Sequence, residues 1–188
     1  MPENVEIKAV VKDWKRAHRT ARELSGSAAV KLKQIDVFFR SPKARLKLRT
    51  LAADQGELIL YDRPNLPSAK LSRYIIARTR EPRKMVEILS STFGVIGTVR
   101  KTRFLYRVGQ TRIHLDQVDG LGRFLEFEVV LRPGQAEADG RRIADNLMEK
   151  FGITPDQLLG RSYLEMLTRE GGVTSPPSLL PPDCRNRR

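Results

Sequence analysis

Period-two alternation through most of the first 170 residues, four stretches of helical periodicity and short turn-rich joints point to an α+β protein. Eight antiparallel strands are read from it, enough to close into a β-barrel, with a few helices packed outside. In the first strand Val5, Ile7 and Ala9 alternate with Asn4, Glu6 and Lys8. Asp13 can cap a helix to about residue 25 that carries Trp14, Ala17, Ala21 and Leu24. Gln34, Asp36 and Phe38 alternate with Ile35, Val37 and Phe39, and Arg45, Lys47 and Arg49 with Leu46 and Leu48. Residues 56–63 form a more apolar strand, followed by a turn-rich stretch. Further strands are expected at about 69–80, 97–108, 110–117 and 122–131, with adjacent strands antiparallel. Glu81 and Pro82 start a second helix, with Met85, Val86, Leu89 and Phe93 on one stripe and Gly94 at its end. Residues 135–151 give a third, carrying Ile143, Leu147, Met148 and Phe151 and closed by Gly152. Thr154 and Pro155 open a short turn, and 162–167 begins the last helix.

A chain of 188 residues suits one domain, expected at 1–170, with no internal repeat. The Pro-rich segment 171–188, with three arginines and one aspartate, reads as a flexible tail. It accounts for two of the +13 formal charges, so +11 belongs to the body. That excess implies an anionic partner. The one cysteine, Cys184, excludes a disulfide framework and a Cys-based zinc site. No apolar run is long enough to span a membrane, and no leader is read at the N-terminus, so a cytoplasmic protein is expected. The Gly-Leu-Gly at 120–122 lacks the third glycine of a dinucleotide loop, and no P-loop or nucleophile-elbow motif occurs.

The polar faces of the strands collect Glu6, Lys8, Asp36, Arg45, Lys47, Arg49, Lys70, Lys101, Arg103, Arg112, Asp116, Glu126 and Glu128. For any one strand the simpler account is a wet outer face. If the sheet closes, the same residues line an interior, where unpaired Lys and Arg would be costly to desolvate. A triphosphate is the natural guest, because its oxygens take Lys as point charges and Arg as forked donors. Glu126 and Glu128, two apart on one strand, point the same way, and Glu6 can face them. Hard oxygen ligands beside phosphates are how Mg²⁺ or Mn²⁺ is held, although both glutamates can equally pair with Lys or Arg across the sheet. Trp14 and Tyr163 read as packing residues and His114 as a satisfied structural histidine.

These motifs, in order, resemble the CYTH family, the triphosphate tunnel metalloenzymes, across residues 4–167. Residues 5–9, with Glu6 and Lys8, resemble that family's Glu-x-Glu-x-Lys strand, with Asn4 where the first Glu would stand. Residues 34–39 resemble its Gln-x-Asp-x-Tyr-Phe strand, with Phe38 at the tyrosine position, and 70–74 its Lys-x-Ser-x-Tyr segment. Residues 45–49, 101–106, 111–131 and 162–167 are similar to its basic strands, last hairpin and C-terminal helix. The resemblance implies a tunnel-like barrel that binds a nucleoside or inorganic triphosphate with Mg²⁺ or Mn²⁺. Its nearest branch is the class IV adenylyl cyclase-like one. By the same resemblance Glu6, Glu126 and Glu128 hold metal, and Glu6, Lys8 and Glu128 carry catalysis. Lys8, Arg45, Lys47, Arg49, Lys70, Lys101 and Arg103 hold phosphates, with Arg112 and Asp116 completing the site. Asn4 leaves the number of ions open. Two chemistries fit: cyclisation of ATP to cyclic AMP and pyrophosphate, or hydrolysis of inorganic or thiamine triphosphate to orthophosphate. A non-catalytic module for polyphosphate or RNA is the third reading, weakened by the scarcity of aromatics in the basic strands. Nucleic acid is therefore not the expected partner; a membrane is excluded, and a homodimer is allowed.

Overall fold

Strict alternation leaves each strand with one apolar and one charged face, and the chain satisfies both by closing the sheet with its charges inward. The computed structural model describes residues 1–169, so the expected tail at 171–188, with Cys184, lies outside the described residues. The strands are β1 Glu3–Val10, β2 Val30–Phe39, β3 Arg45–Ala52, β4 Gln55–Asp62, β5 Lys70–Thr79, β6 Val95–Val108, β7 Thr111–Val118 and β8 Gly122–Val130. They close in the order β1-β5-β4-β3-β2-β6-β7-β8, and every pairing is antiparallel.

Two pairs of sequence neighbours do not lie side by side. β1 and β2 are separated by α1 (Trp14–Ser25), and β5 and β6 by α2 (Pro82–Phe93). A helix of 12 residues carries the chain about 18 Å, too far for a hairpin return to the strand just left. Asp13 caps α1 as expected, its carboxylate accepting from the Arg16 amide at 2.9 Å. β2 starts at Val30, four residues before the alternation at Gln34, because β6 is long enough to pair with that extension.

The apolar faces need cover, and the helices supply it. Val5, Ile7, Ala9, Ile113, Leu115, Leu125, Phe127 and Val129 form one buried cluster with Ala17 and Ala21 of α1. The same cluster takes in Ala144, Leu147 and Phe151 of α3 (Glu137–Phe151). Val37, Phe39 and Leu48 pack under Val86 and Leu89 of α2. At one end of the barrel Phe38, Val99, Val118 and Phe124 meet Tyr163 and Leu164 of α4 (Tyr163–Arg169). Backbone bonds tie the segment ahead of α4 to the same end, with Leu159 N donating to Lys8 O at 2.8 Å. That end is covered by residues 158–167.

The seat of α3 on β1 is close enough to require glycine. A Cβ at Gly140 would stand 2.7 Å from Val5 Cγ2 and 2.7 Å from Leu131 Cδ2. Gly140→Leu is expected to destabilise the fold by roughly 1–3 kcal/mol or more through overpacking, read as a lowered thermal midpoint. An unchanged midpoint would mean that α3 does not sit this tightly.

Candidate active site

Within the barrel the inward positions enclose a cavity of about 770 Å³, inside the range of roughly 300–1,000 Å³ that takes small-molecule ligands. Its lining includes the cations Lys8, Lys47, Arg49, Arg63, Arg78, Lys101, Arg103, Arg107 and Arg112. Against these nine stand five carboxylates, Glu6, Asp36, Glu57, Glu126 and Glu128, so the wall carries an excess of four positive charges. Leu32, Leu51, Ile59, Ile76 and Leu105 add apolar surface to the same lining.

Cross-strand register builds the charge pairs. Asp36 faces Arg49 across the β2–β3 pair and takes Arg49 Nε at 2.8 Å and Nη2 at 3.0 Å. Lys47 Nζ at 3.0 Å and Lys101 Nζ at 3.1 Å complete three cations on one carboxylate. Burial pushes the Asp36 carboxyl up, but those three cations outweigh it and hold the group well below the usual carboxylate range. Burial acts the other way on Lys47, bringing its ammonium down to about 7 despite the attraction of Asp36.

A second network lies on β1, β6, β7 and β8. Arg103 donates twice to Asp116, at 2.7 and 2.6 Å, and once to Glu126 at 2.6 Å. Lys8 Nζ sits 3.2 Å from Glu126, donates to Arg161 O at 3.3 Å and lies 3.6 Å from the centre of the Tyr163 ring. The Tyr163 hydroxyl donates to Asp116 at 3.1 Å; burial and then the Asp116 charge raise its pKa well above the ordinary value. Arg112 bonds Glu128 at 2.8 Å, and Arg63 stands 2.9 Å from Glu6. For Glu128 burial is opposed by His114, Arg112 and Arg103, leaving the carboxyl at about 2.

One donor group fits a divalent cation. His114 Nδ1, a Glu126 oxygen and a Glu128 oxygen all lie within 4.8 Å of one another. Burial, with Arg103 beside it, lowers the His114 pKa, against the pull of the neighbouring carboxylates.

Of the residues expected from sequence, Glu6, Lys8, Lys47, Arg49, Lys101, Arg103, Arg112, Glu126 and Glu128 line this one cavity. Three do not. Arg45 donates to Arg63 O at 3.0 Å and Asn65 Oδ1 at 2.7 Å, and stands 3.6 Å from Glu165. Lys70 donates to Leu66 O at 2.8 Å and Leu159 O at 3.3 Å. Asp116 is wholly buried behind Arg103. All three are engaged in holding the covered end together. Sequence reasoning missed Arg63, Arg78, Arg107 and Glu57, although each continues the alternation of a strand already read. It took Tyr163 as packing alone, whereas its hydroxyl also fixes Asp116. The expectation of a satisfied His114 is corrected: its Nδ1 is buried without a hydrogen-bond partner.

Residues 2–163 match the CYTH domain. The chain belongs to the CYTH domain family. That family acts on triphosphates and depends on metal. A Methanocaldococcus jannaschii protein whose name carries a provisional adenylate cyclase assignment is 24% identical over 169 residues, covering 86% of this chain and 97% of its own. The CYTH barrel superposes on the PH1012 protein of Pyrococcus horikoshii with a TM-score of 0.76 at 20% identity, covering 86% of this chain and 98% of that one. A Vibrio parahaemolyticus structure, again provisionally titled an adenylate cyclase, gives 0.73 at 24% identity over 88% and 97%. At these identities the likeness establishes the fold. Among the described residues no helix is long and apolar enough to cross a membrane.

Removing the shared carboxylate should expose the cost of the cation cluster. Asp36→Ala is expected to lose roughly 3–5 kcal/mol of stability, because the buried Lys101 and the half-buried Lys47 and Arg49 lose their shared counter-ion, and tripolyphosphate should recover part of the melting temperature. A variant as stable as the parent would contradict the pairing. Lys47 gives a pH-dependent test. Between pH 7 and 10.5 the unfolded chain keeps the Lys47 proton while the folded cavity releases it, so stability from this group rises with pH across that window. A bound polyanion favours the ammonium. Tripolyphosphate binding above pH 7 should therefore take up protons, seen calorimetrically in buffers of different ionisation enthalpy, and Lys47→Arg should reduce the uptake, with Lys8 and Lys101 supplying the rest.

Proposed function

We propose that this CYTH chain is a metal-dependent enzyme that draws a nucleoside triphosphate into its barrel and, most like a class IV adenylyl cyclase, converts ATP to cyclic AMP and pyrophosphate. The observation that carries the reading is the excess of cations in one walled cavity beside a cluster of divalent-ion donors. Lys8, Lys47, Arg49, Lys101, Arg103 and Arg112 are the phosphate-binding groups of this reading, and Glu126 and Glu128, with Glu6 nearby, are its metal-holding groups. A divalent ion bound there supplies neutralisation of phosphate charge as it shifts to the leaving group.

The chemistry asked of the protein is positioning and electrostatic stabilisation. The ribose 3′ oxygen bonds to the α-phosphorus, the bond from that phosphorus to the bridging β-oxygen breaks, and the 3′ hydroxyl proton passes through water to the departing pyrophosphate. Pyrophosphate leaves with the charge that the Arg and Lys groups are placed to meet. The apolar positions Leu32, Leu51, Ile59, Ile76 and Leu105 favour a substrate with an organic part, since inorganic triphosphate has nothing to lay against them. The provisional cyclase names of the Methanocaldococcus and Vibrio proteins support the same reaction.

The test is product identification after incubation with ATP, GTP, thiamine triphosphate and tripolyphosphate, each with Mg²⁺ or Mn²⁺. Cyclic AMP with pyrophosphate is the expected outcome; orthophosphate instead would make the protein a triphosphatase, and no product would leave a binding module. Glu128→Gln and EDTA should each lower turnover by about 100-fold or more, the scale of single charge-stabilising groups, while the circular dichroism stays unchanged. Undiminished turnover after both would refute the metal-dependent reading.

A further inference from the structure

His114, like Asn4 and Gln34, is a buried polar residue of this cavity that the phosphate and charge-pair assignments leave unused, and it is the one of the three that can give a nitrogen lone pair to an ion. Its side chain is 4% exposed, and Nδ1 has no hydrogen-bond partner. A buried polar atom left in that state costs stability unless something absent from the protein itself satisfies it. Across the β7–β8 pair His114 stands directly opposite Glu126, and Glu128 opposes the neighbouring inward residue Arg112. Nδ1 therefore lies 3.8 Å from Glu126 Oε2 and 3.7 Å from Glu128 Oε1. Both distances are too long for hydrogen bonds. Both fall inside the separation of about 4.2 Å that two ligands, each about 2.1 Å from a common ion, can span. Arg112 takes the other oxygen of Glu128, leaving Oε1 on the His114 side; Glu126 Oε2 also accepts from Arg103 at 2.6 Å, so an ion there would share that oxygen with the guanidinium.

β1 meanwhile brings one carboxylate to the cavity, and the amide oxygen Oδ1 of Asn4, which is buried there without a hydrogen-bond partner. Asn4 stands one inward position above Glu6, and Glu6 is engaged by Arg63.

We propose that His114 Nδ1 is a nitrogen donor to the divalent-ion site of Glu126 and Glu128, and that it tunes this chain to a first-row transition ion, Mn²⁺, over Mg²⁺. The inference deepens the metal-dependent reading above and rests on its placement of the ion at Glu126 and Glu128. Magnesium takes oxygen ligands and keeps several of its waters; Mn²⁺ is the weakest nitrogen binder of the first-row series and shares the carboxylates that suit Mg²⁺, but as a transition ion it accepts an added imidazole more readily than Mg²⁺ does.

Pulsed electron paramagnetic resonance of the full chain with Mn²⁺ alone tests this without substrate or turnover. The bound ion should show a directly coordinated ¹⁴N coupling that converts to the ¹⁵N pattern on histidine labelling. The chain holds two histidines, and the other, His18, is on α1 with its Nδ1 2.8 Å from the Tyr106 hydroxyl, so His18→Ala should keep the coupling. His114→Gln should abolish the coupling and weaken Mn²⁺ by no less than the roughly 10–100-fold that loss of an outer-shell partner costs, with Mg²⁺ affinity changed far less. Absence of Mn²⁺ binding, bound Mn²⁺ without nitrogen coupling, or a His114→Gln variant with the parent's metal preference would each overturn the inference. The wild-type spectrum decides the matter even if that variant fails to fold. Nitrogen-coupled Mn²⁺ in a protein that turns over no triphosphate would sink the proposed function and leave this inference standing; Glu128-dependent turnover without nitrogen coupling would do the reverse.

Discussion

Asp36 gathers Lys47, Arg49 and Lys101 onto one buried carboxylate, and the need to neutralise charge inside a closed barrel governs the rest of the structure in the same way. Desolvating a Lys or Arg is costly, so each inward cation must find a carboxylate, a carbonyl or a ligand. The interior solves part of this internally, with Arg103 on Asp116 and Glu126, Lys8 on Glu126, Arg112 on Glu128 and Arg63 on Glu6. The carboxylates do not reach the number of cations. What remains is a preorganised positive field with its donors already oriented, and a polyanion completes it without the protein having to rearrange.

Turning the charges inward forces the apolar faces outward, which inverts the usual relation between a small barrel and its core. The hydrophobic core of this protein lies between the barrel wall and the helices α1, α2 and α3. Each helix therefore helps hold the closure that makes the cavity, although none of the three lines it. The close seat of Gly140 against Val5 shows how directly that packing bears on the site, since Glu6 and Asn4 flank Val5 on the opposite face of the same strand.

The covered end divides the charged residues into two kinds. Arg45 and Lys70 share their strand faces with Lys47, Arg49, Ser72 and Tyr74, yet are consumed by the carbonyls and side chains of segments 63–66 and 158–165. Tyr163 belongs to both groups, forming part of the end cluster while bonding Asp116 and lying beneath the Lys8 ammonium. A residue on the correct face therefore lines the cavity only at the correct height in the barrel, and height depends on where the closing segment stops.

Most of the fold was legible along the chain because period-two alternation is a local property. Strand positions came within a few residues, Asp13 and the glycines after the helices marked their ends, and nine expected site residues followed from keeping one face of each strand. The same rule, applied to every inward position of the strands already read, reaches Arg63, Arg78 and Arg107. Local pattern does not encode which strands become neighbours across α1 and α2, nor that segment 158–167 covers one end. Those outcomes depend on contacts between residues as far apart as Lys8 and Arg161 or Asp116 and Tyr163. The sequence by itself determined that a charged sheet face and an apolar one must be separated; only the tertiary structure decided which charges neutralise each other, which are left for a ligand, and that the His114 nitrogen is buried without a partner, because pairing depends on distances across the closed interior.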